Sequence, residues 1–407
     1  MPTRLATFAF WALLFLPLVI SPLLGLLTPY AALLFVIPLF IAALVKRKFG
    51  AAYASWEART LLAVFVVLAI VFVATADSVS DGLRGFNFTM LLAYGAMAWF
   101  FAGRAGQVNA EHITRLAGLG VVVGFLEVAV SALLGSARAT GLNIGPIVLS
   151  NALLALGFIS LGGILLRRDR WAWTYVLPPA LAIAATLITT SRGPLLSLPL
   201  AVLAAALFIW HERFGRSRRA ALVGLAALVV AGGALVVVAL QGRAGSIVTI
   251  LNTLIGGGTV VDESARERLV FYAAGWQSFL ASPWIGHGWG NIMPSIQGFL
   301  APSDVGLAVT YKQLHNDVLN FAVGAGIVGV ICYFAIISAP LVGALRSPRD
   351  KLRAFRLYAA TALTIVYVGG GLTDLMFGFE FHTFLFVTLT AILLGLCREP
   401  LPTEVAR

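Results

Sequence analysis

Twelve apolar runs follow one another along the chain, at about 6–26, 29–45, 60–76, 84–103, 113–134, 144–166, 171–190, 194–210, 220–240, 317–344, 355–374 and 379–397. Most are roughly 17–25 residues long, the length a helix needs to cross a hydrocarbon core of about 30 Å. Strands of a membrane barrel would be shorter and would alternate apolar with polar residues; no such alternation is present. Composition agrees: 60% of the 407 residues are hydrophobic and 11% charged, against about a quarter charged in a soluble domain. The reading is an all-α, polytopic membrane protein of about twelve transmembrane helices, with residues 1–407 forming a single integral-membrane domain.

Most connections are short. The exception, 241–316, is expected to be one long loop on the outer side, and no internal repeat is visible. Orientation follows from lysine and arginine. With both termini in the cytoplasm, the inner side holds Arg4, the "KRK" run at 46–48 with Arg59, Arg104 and Arg115, "RRDR" at 167–170, "RFGRSRR" at 213–219, "RSPRDKLRAFR" at 346–356, and Arg398 and Arg407. Twenty-one of the 28 basic residues then fall inside. Membrane insertion thus accounts for most of the net charge of +11, and nucleic-acid binding is not needed to explain it. The N-terminal "MPTRLATFAFWALLFLPLVISPLLGLL" has a basic start but no clear small-x-small cleavage site, and is expected to be an uncleaved first helix. Cys332 and Cys397 offer neither a disulfide framework nor zinc spacing.

Seven basic residues remain outside: Arg84, Arg138, Arg192, Arg243, Arg266, Arg268 and Lys312. In the long loop, "DESARERLVFYAAGWQSFLASPW" (262–284) spaces Leu269, Phe271, Tyr272, Trp276 and Phe279 among polar residues. That pattern predicts an amphipathic helix at the membrane surface. The following "GHGWGN" (286–291) is a glycine-rich turn in which backbone is expected to approach a ligand.

Three segments carry residues suited to chemistry. "TTSRGP" (189–194) puts Arg192 between two helices, either snorkelling to lipid phosphate or forming an anion site with Ser191, the flanking threonines and a helix N-terminus. "ARERL" holds Arg266 and Arg268; two residues apart on a helix they face different sides, and Arg266 can simply pair with Glu263 or Glu267. "TYKQLHNDVLNF" (310–321) puts His315 and Asn316 at a helix start, where histidine is either a hydrogen-bonder or a base. Asp317 points elsewhere on the helix. No metal-ligand spacing appears; His287 with His315 is unsupported as a metal pair, and neither metal nor cofactor is predicted. Glu127, within the fifth run, is the one intramembrane acid.

Taken in order, these segments resemble the O-antigen ligase and polymerase superfamily, bacterial inner-membrane glycosyltransferases that use undecaprenyl-diphosphate-linked glycans. "TTSRGP" looks like its hydroxyl-rich S-R-G/A segment. "RLVFYAAGWQSFLASPWIGHGWGN" looks like its arginine–aromatic–P-x-x-G-x-G segment, and counting back from Pro283 selects Arg268. "HNDVLNFAVGAGIVG" (315–329) resembles its histidine motif, with the glycine eleven residues on at Gly326. The resemblance implies that Arg192 and Arg268 bind the diphosphate and that His315 is the catalytic base. Arg266, Asn316, Ser191 and His287 are supporting candidates.

The pattern departs from ligases at Gly329, where threonine is often found, and at Gly324 and Ala325, where an acid is common. Against polymerases, neither arginine has a glycine eleven residues later. The expectation is a metal-independent, inverting transferase on the periplasmic face of the inner membrane. It would move O-antigen from undecaprenyl diphosphate to lipid A–core, with a repeat-unit polymerase as the alternative. A flippase of lipid-linked sugars is the alternative of a different class, and a purely structural subunit would leave the three outer motifs unexplained.

Overall fold

A computed structural model of the protein describes residues 3–136, 138–214 and 263–399. The long elements among them are helices: α1 (Thr3–Phe15), α2 (Thr28–Val45), α3 (Trp56–Ala74), α4 (Thr89–Ala102), α5 (Ala110–Leu133), α6 (Pro146–Leu161), α7 (Leu177–Ile188), α8 (Leu198–Phe214), α9 (Glu263–Ala281), α10 (Asp317–Arg346), α11 (Arg353–Gly371) and α12 (Glu380–Ala391). No strand occurs among the described residues. Eight stretches there are long and apolar enough to cross a membrane, and Glu380–Leu396 is a shorter apolar one.

The first two expected runs form one of those stretches, Arg4–Val45, which doubles back, since the rings of Phe8 and Phe35 meet at 5.6 Å. The expected ninth run (220–240) and the start of the long connection, with Arg243, lie outside the described residues.

Apolar residues all round a helix bury it completely, and α6 and α12 behave so. Residues 149–161 of α6 and 381–391 of α12 are buried throughout. Around them α3, α5 and α7 keep apolar side chains exposed, including Ile70 at 64% and Leu133 at 86%. Glu127 is a structural hydrogen-bonder: its Oε1 accepts from the Leu142 N–H at 2.7 Å and holds the connection before α6. At one end of the bundle the fully buried Arg356 is satisfied by Asp350, Ser347 and the carbonyls of Pro348 and Cys397. A buried guanidinium needs such a shell of acceptors, and this one ties the ends of α10, α11 and α12 together. Cys332 and Cys397 are both buried and free.

The feature that positions the site is a break in α10. Ala325 (φ −142°, ψ 17°) and Gly326 (φ 62°, ψ −152°) leave helical geometry, Gly326 in a region open essentially to glycine alone. The Val323 and Gly324 carbonyls released there accept from the N–H groups of His287 (2.8 Å) and Gly288 (2.9 Å), and Ile327 N–H donates to Pro283 (2.8 Å). A methyl on Gly326 would lie 2.3 Å from the Trp284 carbonyl carbon, and one on Gly286 2.5 Å from Ala325 N. The glycine-rich turn therefore approaches the α10 backbone.

The same geometry accounts for Gly329, where a Cβ would meet the Phe321 carbonyl oxygen at 2.2 Å. Gly326→Ala is expected to destabilise the fold by about 3 kcal/mol or more, read as a large drop in melting temperature of the detergent-solubilised protein. An unchanged melting temperature would mean that the break relaxes freely.

Helix α9 forms where expected, with Glu263 in its first turn and Pro283 just beyond its end. Its buried stripe is Phe271, Ala274 and Ser278, while Trp276 is 52% and Leu280 51% exposed. The single apolar face expected from the sequence is thus divided. One side packs on Leu314 and Leu319, which crowd Gly275, and the other side is left open.

Candidate functional site

His315 sits one residue before the N-cap of α10. Asn316 caps the helix, its Oδ1 accepting from Leu319 N–H at 3.0 Å, and Asn320 Oδ1 accepts from Leu314 N–H at 3.0 Å. These two asparagines hold the chain on either side of His315, which takes a left-handed φ of 53°, a conformation that histidine tolerates better than most residues. Its Nδ1 faces Asp374 Oδ1 at 3.4 Å, a long contact of the sort that tightens when substrate binds. A carboxylate can only accept, so the proton belongs on Nδ1. Nε2 has no hydrogen-bond partner among the described residues and is left as the acceptor. The Tyr311 ring stands edge-on to the imidazole, centroids 5.4 Å apart.

Asp374 lies in the 372–378 connection between α11 and α12 and also accepts from Gln313 Nε2 at 3.0 Å. Burial by itself pushes its carboxyl up, but the hydrogen bond and charge of His315, with the Leu375 N–H, outweigh it. The group is held below the usual carboxylate range. Because the folded value is depressed, the pairing stabilises the loop fully above the unfolded carboxylate value. That stability is lost as pH falls through the lowered folded value. Asp374→Asn is expected to remove this acid-side stability. Thermal unfolding from about pH 4 to 8 checks it; an unchanged acid-side profile would mean that the pairing does not stabilise the loop.

Asp317 is not the partner of His315. It is fully buried, its Oδ1 accepting from Met376 N–H (2.9 Å) and Phe377 N–H (3.4 Å). It holds the loop that carries Asp374.

The arginine segments meet the same loop. Gly193, next to Arg192, lies so close to Thr373 that a Cβ would sit 2.2 Å from its Oγ1. Ser191 is buried and accepts from Thr189 Oγ1 at 2.9 Å, in a chain that continues to Ser150. Arg192 itself is half-buried.

On α9, Arg268 and Tyr272 are one turn apart and therefore neighbours on one face. The Tyr272 hydroxyl lies 3.0 Å from both the His315 and the Leu372 carbonyls. Arg268 reaches Ser264 Oγ at 2.8 Å, and its buried Nε has no hydrogen-bond partner among the described residues. Arg266 turns the other way and pairs with Glu263 (2.8 Å) and Asp304 (3.0 Å). His287 is also elsewhere, its Nε2–H donating to the Ser278 carbonyl at 2.8 Å.

The three residues "LTD" (372–374) thus join the segments: Leu372 is bound by Tyr272 and Asn316, Thr373 abuts Gly193, and Asp374 faces His315. Arg192, Arg268 and His315 belong to elements gathered on this loop, whereas Arg266 and His287 are engaged outside it. Sequence reasoning missed Asp374 and the tyrosine clasp. The available signal was an acid at the very end of the eleventh run. Among the described residues no three His, Cys, Asp or Glu side chains group as a metal site.

A helical bundle with eight stretches able to cross a membrane among its described residues, and with its histidine- and arginine-bearing segments meeting on one loop, defines a multi-pass membrane protein. Residues 178–334 match the family model described as O-Antigen ligase. That match supports the O-antigen ligase and polymerase superfamily for this chain, in agreement with the resemblance carried by its three motifs. The matched residues include Arg192, Arg268 and His315 and stop short of Asp374. No curated protein matches the chain.

Proposed function

We propose that the protein is an inverting glycosyltransferase of the inner membrane with both termini cytoplasmic and its site facing the periplasm. It moves a glycan from undecaprenyl diphosphate to an acceptor hydroxyl, and the acceptor favoured here is lipid A–core, making it an O-antigen ligase. His315 Nε2 takes the acceptor's proton as its oxygen attacks the anomeric carbon. The bond from that carbon to the phosphate oxygen breaks, and its electron pair leaves on undecaprenyl diphosphate. Attack opposite the leaving group inverts the anomeric configuration. Arg192 and Arg268 take up the charge growing on the diphosphate, Ser191 and Asn316 support the segments that hold them, and α9 covers the site.

The observation that carries this reading is the convergence of all three segments on Leu372–Asp374. The buried, unpartnered Nε of Arg268 supports an anionic ligand beside it. A flippase would call for ionisable groups along the midplane, whereas Glu127 is engaged with backbone.

The test is purified protein in nanodiscs with undecaprenyl-diphosphate glycan, with and without chelator, offered lipid A–core or a second donor molecule. Glycosylated lipid A–core of inverted anomeric configuration is the expected product, undiminished by chelator. Chain extension of the donor alone would make the protein a polymerase. Transbilayer movement without a new glycosidic bond would overturn the transferase reading.

A further inference from the structure

Two tyrosines connect His315 to the helix that carries Arg268, Tyr272 through the His315 carbonyl and Tyr311 through its imidazole, and the proposed reaction has no use for either hydroxyl. Tyr272, one turn beyond Arg268, has a single phenolic proton and two carbonyl acceptors, those of His315 and Leu372, each at 3.0 Å. The Asn316 amide donates to the same Leu372 carbonyl at 3.3 Å. Burial pushes the Tyr272 phenol up, so it stays protonated and remains a donor. Tyr311 makes the second link. Its hydroxyl donates to Glu267 on α9 at 2.8 Å, and its ring lies between Phe271 of α9 and the His315 imidazole, 5.4 Å from each.

Glu267 and Arg268 are consecutive on α9, and Tyr272 follows Arg268 by one turn. The helix therefore grips the left-handed residue His315 by its backbone and by its ring, from positions that flank the phosphate-binding arginine. A left-handed, non-glycine residue is held only where its surroundings over-determine it. Here the surroundings include α9, through Tyr272 and the Glu267–Tyr311 pair, beside Asn316, Asn320 and Asp374.

We propose that Tyr272 and Tyr311, the latter through Glu267, are positioning residues that make the orientation of the base depend on the docking of α9. Engagement of the donor diphosphate by Arg268 and activation of the acceptor hydroxyl by His315 are thereby coupled. The proposal rests on the transferase reading above. It adds that an α9 displaced from the 311–315 segment leaves the base misaligned even with donor present. The hydrolysis risk is reduced in the same way, because the activating group is in register only when the diphosphate-binding helix is seated.

The test compares Tyr272→Phe, Tyr311→Phe and Glu267→Gln in nanodiscs, with the folded fraction measured for each by size-exclusion and thermal unfolding. Tyr272→Phe keeps the ring and loses the clasp; kcat per folded molecule is expected to fall about 10- to 100-fold while donor KM stays within about twofold. Tyr311→Phe is expected to fall similarly. Glu267→Gln, which retains an acceptor for the Tyr311 hydroxyl, is expected to keep kcat within about twofold of wild type. Tyr272→Phe combined with Arg268→Lys should be non-additive, as coupled residues are.

Wild-type kcat in Tyr272→Phe, in a preparation where His315→Ala is inactive, overturns this coupling and leaves the transferase reading standing. An equal rise in donor KM and fall in kcat/KM, with kcat unchanged, also overturns it, since that pattern belongs to donor binding alone. An active His315→Ala enzyme removes the base role and this coupling with it, while its glycosidic product leaves the transferase reading standing.

Discussion

His315→Ala is expected to lower the kcat of the proposed glycan transfer on the order of 10²- to 10⁴-fold, the usual contribution of a positioned general base. In the proposed reaction the diphosphate leaving group needs no proton, so a base is needed only to activate the attacking hydroxyl. The geometry suits that role: Nδ1 is turned to Asp374 and Nε2 has no protein partner among the described residues. The fold should survive the change, because His315 is held by backbone contacts that alanine can keep in part, through Tyr272 and the Asn316 cap. The measurement is product formation from undecaprenyl-diphosphate glycan by folded, donor-competent protein. Transfer at the wild-type rate would exclude the base role.

The second large effect belongs to the arginines. Arg268→Lys and Arg192→Lys keep a positive charge but lose the planar fork that binds a diphosphate with two parallel hydrogen bonds. Because the charge on the leaving diphosphate grows in the transition state, each loss should fall mainly on kcat. The expected size is on the order of 10²-fold, or about 3 kcal/mol for a well-placed donor. Arg266→Lys is the control. Its guanidinium is occupied by Glu263 and Asp304, and its replacement should leave kcat within about twofold. Equal effects at Arg266 and Arg268 would mean that α9 acts through its overall charge and not through one oriented side chain.

How far the site was legible differs from residue to residue. The choice of Arg268 over Arg266 came from counting back from Pro283 and from the rule that residues two apart face different sides. The helix does turn them apart, one toward Tyr272 and the other toward Asp304. Gly326 was read as part of a motif, and its physical reason emerged only in three dimensions: α10 breaks there so that its carbonyls can receive the N–H groups of His287 and Gly288. His287, considered as a site residue, serves that docking and the Ser278 carbonyl instead. The apolar pattern of α9 predicted a helix but not which of its residues would be covered. Phe271 lies inside and Trp276 outside because α9 packs on α10 with one side only.

Run length, the distribution of lysine and arginine and the three short motifs are local quantities, and the sequence alone was enough for a helical, multi-pass reading and for naming Arg192, Arg268 and His315. Partner choice is not local. The His315–Asp374 contact spans 59 residues and the Tyr272–Leu372 bond spans 100. No periodicity connects such positions, because what brings them together is the packing of α9, α10 and α11 around one loop. The nearby Asp317 was the acid that proximity in sequence offered. Helix geometry turned it inward to the Met376 and Phe377 amides, and the orienting role fell to Asp374, which only the tertiary structure could bring to the imidazole.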